Sequence, residues 1–341
     1  MPFISKILEY KSLSIVGLDK NTGKTVTLNY ILKELSKRDV IVGITSIGID
    51  GEGLDQVTKT AKPEIIIYKD MYFTTSEKHY KSKQLVAEIY DVSSYSTALG
   101  RLVTGLAKNT GKVLLSGPAN TSNLVKVIEN NAKLGCNLTI IDGALSRMSL
   151  ASPSITQATI LATGAAYSIN LNKLVRRTKF ICNLIKIERV DIATFNILKK
   201  IGTGIWIINK NESLEKLNIN SVFALFLSQN KSYLDKLKNA NVLFISGVLN
   251  DKLLEFLRIQ EYIKELIIVV KDFTKIFVSE KVYKSFNNVG GKLRVLYNTK
   301  LIAVTFNPTS PEGYTMDSKK TRKVLSENIN LPVYDVKDID V

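Results

Sequence analysis

The clearest chemistry in the chain lies in Gly17-Leu18-Asp19-Lys20-Asn21-Thr22-Gly23-Lys24-Thr25. Backbone N–H groups of such a loop, with the N-terminus of a following helix, can surround phosphate oxygens. Lys24 is placed to bridge the β- and γ-phosphates of a nucleoside triphosphate. Thr25 is placed to give its hydroxyl to Mg²⁺. Gly23 permits a close backbone approach that a Cβ would obstruct. The expected nucleotide contacts are Gly17, Asp19, Lys20, Asn21, Thr22, Gly23, Lys24, Thr25 and Val26. Carboxylates on neighbouring strands must complete such a site. Asp142 ends the apolar run Leu138–Ile141 and precedes Gly143, the pattern of a carboxylate at the end of a buried strand. Asp50, in the stretch TSIGIDGEGLD, closes the next expected strand and could reach the metal directly or through water. Lys24, Asp50 and Asp142 form the expected catalytic set, and Thr25, Asp50 and Asp142 the expected metal set. Glu52 and Asp55 are alternatives to Asp50. The guanine signature Asn-Lys-x-Asp is missing: Asn209-Lys210-Asn211-Glu212 ends in Glu, which favours ATP.

A second stretch, Gly105-Leu106-Ala107-Lys108-Asn109-Thr110-Gly111-Lys112-Val113, nearly repeats the first. Val113 replaces the metal-binding Thr. A helix is expected before it and the strand VLLSGP after it, the reverse of the order a phosphate loop needs. It reads as a helix-ending turn with Gly111 as the C-cap.

The elements that must position these residues follow from periodicity. Leu13–Val16 reads as a strand, and Val26 to Lys37 as a helix with apolar residues at Leu28, Ile31, Leu32 and Leu35. Val40–Ile47 and Glu64–Tyr68 are strand-like, Ser96–Ala107 reads as a helix, and Val113–Ser116 as a strand. Asn123–Leu134 reads as a helix, Leu138–Ile141 and Thr159–Ala162 as strands. Leu171 to Lys200 is helix-rich. The strand candidates beyond it are Gly204–Ile208, Val242–Ile245, Leu266–Val270, Leu293–Leu296 and Ile302–Phe306. Apolar runs with polar stops and intervening helices imply parallel strands covered on both faces. The expected fold is α/β: a P-loop nucleotide-binding domain over 1–195 with a mostly parallel sheet. A second, smaller α/β domain for accessory or partner contacts is expected over 196–341.

Composition bounds the remainder. At about 150 residues per domain, 341 residues fit two domains. Hydrophobic residues are 45% and charged residues 23%, which excludes disorder or a coiled coil for the whole chain. His79 is the one histidine, so a His-rich metal site is excluded. Its polar neighbours, EKHYKSK, lead one to expect an exposed side chain. Cys136 and Cys182 suggest a reducing compartment. MPFISKILEYKS carries no secretory signal, and no stretch reaches 18 consecutive apolar residues, so a cytoplasmic protein without a membrane partner is expected. Net charge is +16. The lysines are spread along the chain, and solvated helix faces account for the dense runs Lys173–Lys179 and Lys319–Lys323. Nucleic acid is therefore the less favoured partner.

The loop has five residues between Gly17 and Gly23, and Leu18 stands where a first glycine would be. In the form G-x-D-x-x-x-G-K-T it resembles the loop of dethiobiotin synthetase and its cobyrinic acid synthase relatives, a class that includes partition ATPases and nitrogenase iron protein. In that class an Asp in the region of Asp50 reaches the metal. Further phrases, TSIGIDGE, Asp142 to Arg147 continuing to Ser152-Pro153, ATILATGAAYS, VVKDFTKIFVS and FNPTSPEGY, are similar to the reactivase proteins associated with lysine 5,6-aminomutase. The resemblance implies an ATP-dependent partner of an adenosylcobalamin-dependent aminomutase that releases damaged cobalamin and admits intact cofactor. It also implies a second reactivase subunit or another homo- or hetero-oligomeric arrangement. Ser146 departs from an acidic residue there; Arg147 would sense a γ-phosphate or pair with a carboxylate. No Asp-x-His-x-x-Gly pattern surrounds His79. Two other functions fit the same loop: a small-molecule ATP-dependent ligase or kinase, and a DNA-stimulated partition-type ATPase.

Overall fold

A computed structural model describes residues 3–48, 64–143, 155–219, 231–335 and 338. Its strands are β1 (Ser12–Gly17), β2 (Val42–Ser46), β3 (Ile65–Ile67), β4 (Tyr72–Ser76), β5 (Ala87–Thr97), β6 (Gly100–Ala107), β7 (Gly111–Val113), β8 (Leu138–Asp142) and β9 (Ala158–Gly164). There follow β10 (Ile205–Asn209), β11 (Leu214–Leu217), β12 (Ala240–Ile245), β13 (Leu249–Asn250), β14 (Ile267–Val270), β15 (Ile276–Phe277), β16 (Lys292–Val295), β17 (Lys300–Asn307) and β18 (Val333–Asp335). The helices are α1 (Phe3–Ile7), α2 (Lys24–Leu35), α3 (Glu77–Lys81), α4 (Thr121–Lys133), α5 (Leu171–Ile185), α6 (Ile192–Leu198), α7 (Lys231–Lys238), α8 (Asp251–Arg258), α9 (Glu280–Asn288) and α10 (Ser318–Ile329).

The chain divides into two compact units. The first takes in the N-terminal part with Ile155–Cys182 and Thr299–Val341; the second takes in Asn183–Asn298. This corrects the division at 195/196. The chain leaves the first unit after Cys182 and returns at Thr299, because β17 is an apolar strand that pairs with β9 and carries β18 on its other side. No change of composition marks a return that depends on long-range pairing.

The first unit holds a nine-stranded sheet in the order β18-β17-β9-β1-β8-β2-β4-β6-β5. From β18 to β4 every pairing is parallel, and β6 is antiparallel to both β4 and β5. The strand β1 is central. Its alternation places Leu13 and Ile15 on one face, where they join Val42, Ile44, Leu138, Ile140 and Ile160. Leu28, Ile31, Leu32 and Leu35 of α2 pack onto that face, together with Phe3, Ile4 and Ile7 of α1. Burying each such side chain is worth about 1.5–3 kcal/mol. The alternate residues carry hydroxyls that satisfy one another: Ser14 Oγ lies 2.8 Å from Thr159 Oγ1, and Thr159 Oγ1 3.1 Å from Thr299 Oγ1.

The second unit holds a five-stranded sheet in the order β11-β10-β12-β14-β16. Here β12, β14 and β16 are parallel, and β10 is antiparallel to its two neighbours. Its core gathers Val190, Leu198, Ile208, Val242, Phe244, Val269 and Leu296, with Trp206 half-buried against it.

Two local expectations are corrected. The segment 96–107 is not a helix: it is the end of β5, the turn after it and the strand β6, with Gly100 at φ 92°. Leu99, Leu102, Val103 and Leu106 do fall at helical spacing, but β4 and β5 flank the segment and its Val103-Thr104 pair is β-branched. Gly111 is not a helix cap but the first residue of β7, paired with Ile67. The expected strand Val113–Ser116 is β7 only up to Val113. Among the described residues, no helix is long and apolar enough to cross a membrane.

Candidate phosphate-binding site

The strand β1 ends at Gly17 and α2 begins at Lys24, so the loop between them lies at the C-terminal edge of the parallel sheet. Its backbone is turned twice through the left-handed region, at Asn21 (φ 57°) and Gly23 (φ 90°). Gly23 is the N-cap of α2 and, as a glycine, has no side chain to accept from the first turn. By contrast α4, α6, α8, α9 and α10 each start with a side chain that does so: Asn120, Asp191, Asn250, Ser279 and Asp317. The N-cap residue of α2 thus adds no side-chain acceptor of its own at the helix start, an arrangement suited to an anion.

Close packing holds the loop. A Cβ on Gly17 would lie 2.7 Å from Thr22 Oγ1 and 2.8 Å from Lys24 Cδ, so the lysine chain runs back over the end of β1. The Leu18 N–H donates to the Ala162 carbonyl at 2.7 Å, tying the loop to β9. Thr22, 1% exposed, donates from Oγ1 to the Asp19 carbonyl at 2.8 Å. The Lys20 N–H donates to Asp19 Oδ1 at 2.7 Å, so the Asp19 carboxylate turns into the loop. Thr25 and Val26, in the first turn of α2, are half-buried.

The carboxylate side is brought close by register. Asp142, the last residue of β8, pairs with Ile15 of β1 on one side and with Ser46 of β2 on the other. Ile15 is two residues before Gly17, so Asp142 ends its strand beside the loop. Its side chain is half-buried. Ser46 Oγ donates to the Asp142 carbonyl at 3.3 Å, and the Gly143 N–H donates to the Ile15 carbonyl at 3.2 Å. The structure therefore brings together Gly17, Asp19, Lys20, Asn21, Thr22, Gly23, Lys24, Thr25, Val26 and Asp142. Asp50, Glu52, Asp55, Ser146 and Arg147 lie outside the described residues.

Sequence reasoning missed the support from β17. Asn307, the last residue of that strand, donates from Nδ2 to the Asn21 carbonyl at 3.3 Å. Thr305 Oγ1 lies 2.9 Å from Thr27 Oγ1, and Thr27 Oγ1 also donates to the Gly23 carbonyl at 3.0 Å. A strand-end Asn before Pro308 was the available signal, but nothing local showed that it meets a loop 286 residues away.

His79 is corrected outright. It is 2% exposed, with Nδ1 3.0 Å from Ser116 Oγ. Cys136 is half-buried, and burial pushes its thiol up to about 12, which leaves it a poor nucleophile.

The loop and Asp142 together suit a polyphosphate with a divalent cation. Gly17 leaves the space that the Lys24 chain fills, and the start of α2 offers backbone donors, so the residues fit Mg²⁺·ATP. Comparison with protein-family models and with curated proteins finds no match.

Proposed function

We propose that the first unit binds Mg²⁺·ATP in the Gly17–Thr25 loop and that the protein is an ATPase acting on a partner protein. The observation that carries the nucleotide reading is the start of α2: a left-handed Gly23 without a capping side chain, directly after a buried strand, with Lys24 folded over Gly17. Lys24 offsets phosphate charge, Thr25 offers a hydroxyl to the metal, and Asp142 offers a carboxylate to the metal or its water. Asn307 and Thr305 keep the loop in shape. Bound nucleotide supplies a γ-phosphate whose loss can release ordered segments.

The partner we propose is an adenosylcobalamin-dependent aminomutase, with damaged cobalamin exchanged for intact cofactor. This part rests on the phrases that resemble lysine 5,6-aminomutase reactivases, not on geometry. One experiment tests it: ATP hydrolysis measured alone, with a cobalamin-dependent aminomutase, with DNA, and with small carboxylates or amines. A rise only with the aminomutase is expected. A rise only with a small acceptor would replace this reading by a ligase or kinase, and a salt-sensitive rise only with DNA by a partition-type ATPase.

A further inference from the structure

His79 is the one histidine, and the nucleotide reading does not use it. A buried imidazole is costly unless its polar atoms are engaged. Here the engagement of Nδ1 leads toward the candidate site. His79 stands on α3, immediately after β4. Its Nδ1 meets Ser116 Oγ at 3.0 Å, and Ser116 is 1% exposed. That hydroxyl is a hub. It donates to Ser76 Oγ at 2.8 Å, accepts from the Ser76 N–H at 3.0 Å, and lies 3.2 Å from Thr75 Oγ1. The Ser116 N–H donates to Thr75 Oγ1 at 3.1 Å, and Thr75 Oγ1 donates to the Leu114 carbonyl at 2.8 Å. The segment from Leu114 to Ser116 is thereby stitched to the end of β4.

Its next residues are stitched to the end of β2. A Cβ on Gly117 would lie 1.7 Å from the Ser46 carbonyl oxygen, so only glycine allows this approach. The Gly117 N–H donates to the Gly48 carbonyl at 3.2 Å, and the Gly48 N–H to the Pro118 carbonyl at 3.0 Å. Ser46, under this clasp, donates to the Asp142 carbonyl. The chain of contacts thus runs from His79 through Ser116, Gly117 and Ser46 to the strand end that carries Asp142.

We propose that His79 is a positioning residue for the metal side of the nucleotide site. It fixes the Ser116 hydroxyl, Ser116 places Gly117 on the end of β2, and Ser46 holds the Asp142 backbone. The functional consequence rests on the Mg²⁺·ATP reading; the clasp itself does not.

The test uses the full chain and three variants. His79→Asn keeps a polar atom near the Nδ1 position, His79→Leu keeps bulk without one, and Ser116→Ala removes the hub. Hydrogen exchange is followed on peptides covering 42–48 and 114–118. ATP affinity is measured with Mg²⁺ and with EDTA. His79→Leu and Ser116→Ala should speed exchange at the Gly48 and Gly117 amides. They should also reduce the Mg²⁺-dependent gain in affinity about fivefold, the size of one lost neutral hydrogen bond, with the EDTA value unchanged. His79→Asn should behave nearly as wild type. Unchanged exchange in all three variants would overturn the clasp. Faster exchange with an unchanged Mg²⁺ gain would overturn the link to Asp142 and leave His79 a structural histidine. A wild-type chain that binds no ATP in either buffer would sink the nucleotide reading, and with it the functional consequence, while the exchange arm still decides the clasp.

Discussion

Gly17–Thr25 and Gly105–Val113 differ at only two positions, Asp19 against Ala107 and Thr25 against Val113, yet they fold differently. The first leaves a strand, turns through two left-handed residues and starts a helix. The second leaves β6, takes no positive φ at any residue and enters β7. In the first, Lys24 lies over Gly17. In the second, Lys108 pairs with Glu88 at 2.5 Å and Lys112 with Glu64 at 2.6 Å. Asn109 Oδ1 accepts from the Val86 N–H at 2.7 Å, and Gly111 is pressed so closely on Gln84 that a Cβ would lie 2.1 Å from its carbonyl oxygen. The flanks decide. TVTLNYILKEL after the first has helical spacing of apolar residues, whereas VLLSGP after the second does not. Nearly identical letters therefore open a helix in one place and join neighbouring strands in the other.

The largest expected contrast is between the two lysines. Lys24→Ala should weaken ATP binding about a hundredfold, as loss of a charged hydrogen-bond partner does; Lys112→Ala should leave it unchanged. Calorimetric titration reads both, and equal affinities in wild type and Lys24→Ala would break the assignment. Next come the glycines. Gly17→Ala should displace the Lys24 chain and cost about tenfold in ATP affinity, roughly 1.4 kcal/mol. Gly111→Ala should spare affinity but destabilise the first unit by about 2 kcal/mol, since the clash is with backbone. Chemical denaturation alongside titration separates the two effects. The smallest contrast is at the last letter of each loop. Thr25→Val should remove about fivefold of the Mg²⁺-dependent gain, the scale of one hydrogen-bonding group. The reciprocal Val113→Thr should add no second nucleotide site, so a stoichiometry of two in that variant would show that letters outweigh context.

How much was legible follows from range. The strand β1, the helix α2 and the carboxylate-terminated β8 announce themselves within a dozen residues, because period and turn chemistry are local. The hairpin of β5 and β6 was hidden, since Leu99, Leu102, Val103 and Leu106 share a helical period while the strand state depends on β4. The burial of His79 was hidden by its own neighbours: the lysines of EKHYKSK stay half-buried or exposed around a 2% exposed imidazole. Asn307 stands in the phrase FNPTSPEGY, but its contact with Asn21 is created only by the return of the chain.

That return also sets a timetable for synthesis. The loop is synthesised well before the strand that braces it, since β17 follows the whole second unit. Until then β9 has no partner on its outer side, and Asn21 and Thr27 lack their contacts with Asn307 and Thr305. Such long-range closure is slow to form and leaves strand edges exposed while it waits. A chain halted before Thr299 would carry every letter of Gly17–Thr25 without its brace, so if the proposed nucleotide site is correct its affinity should mature only once β17 has paired with β9.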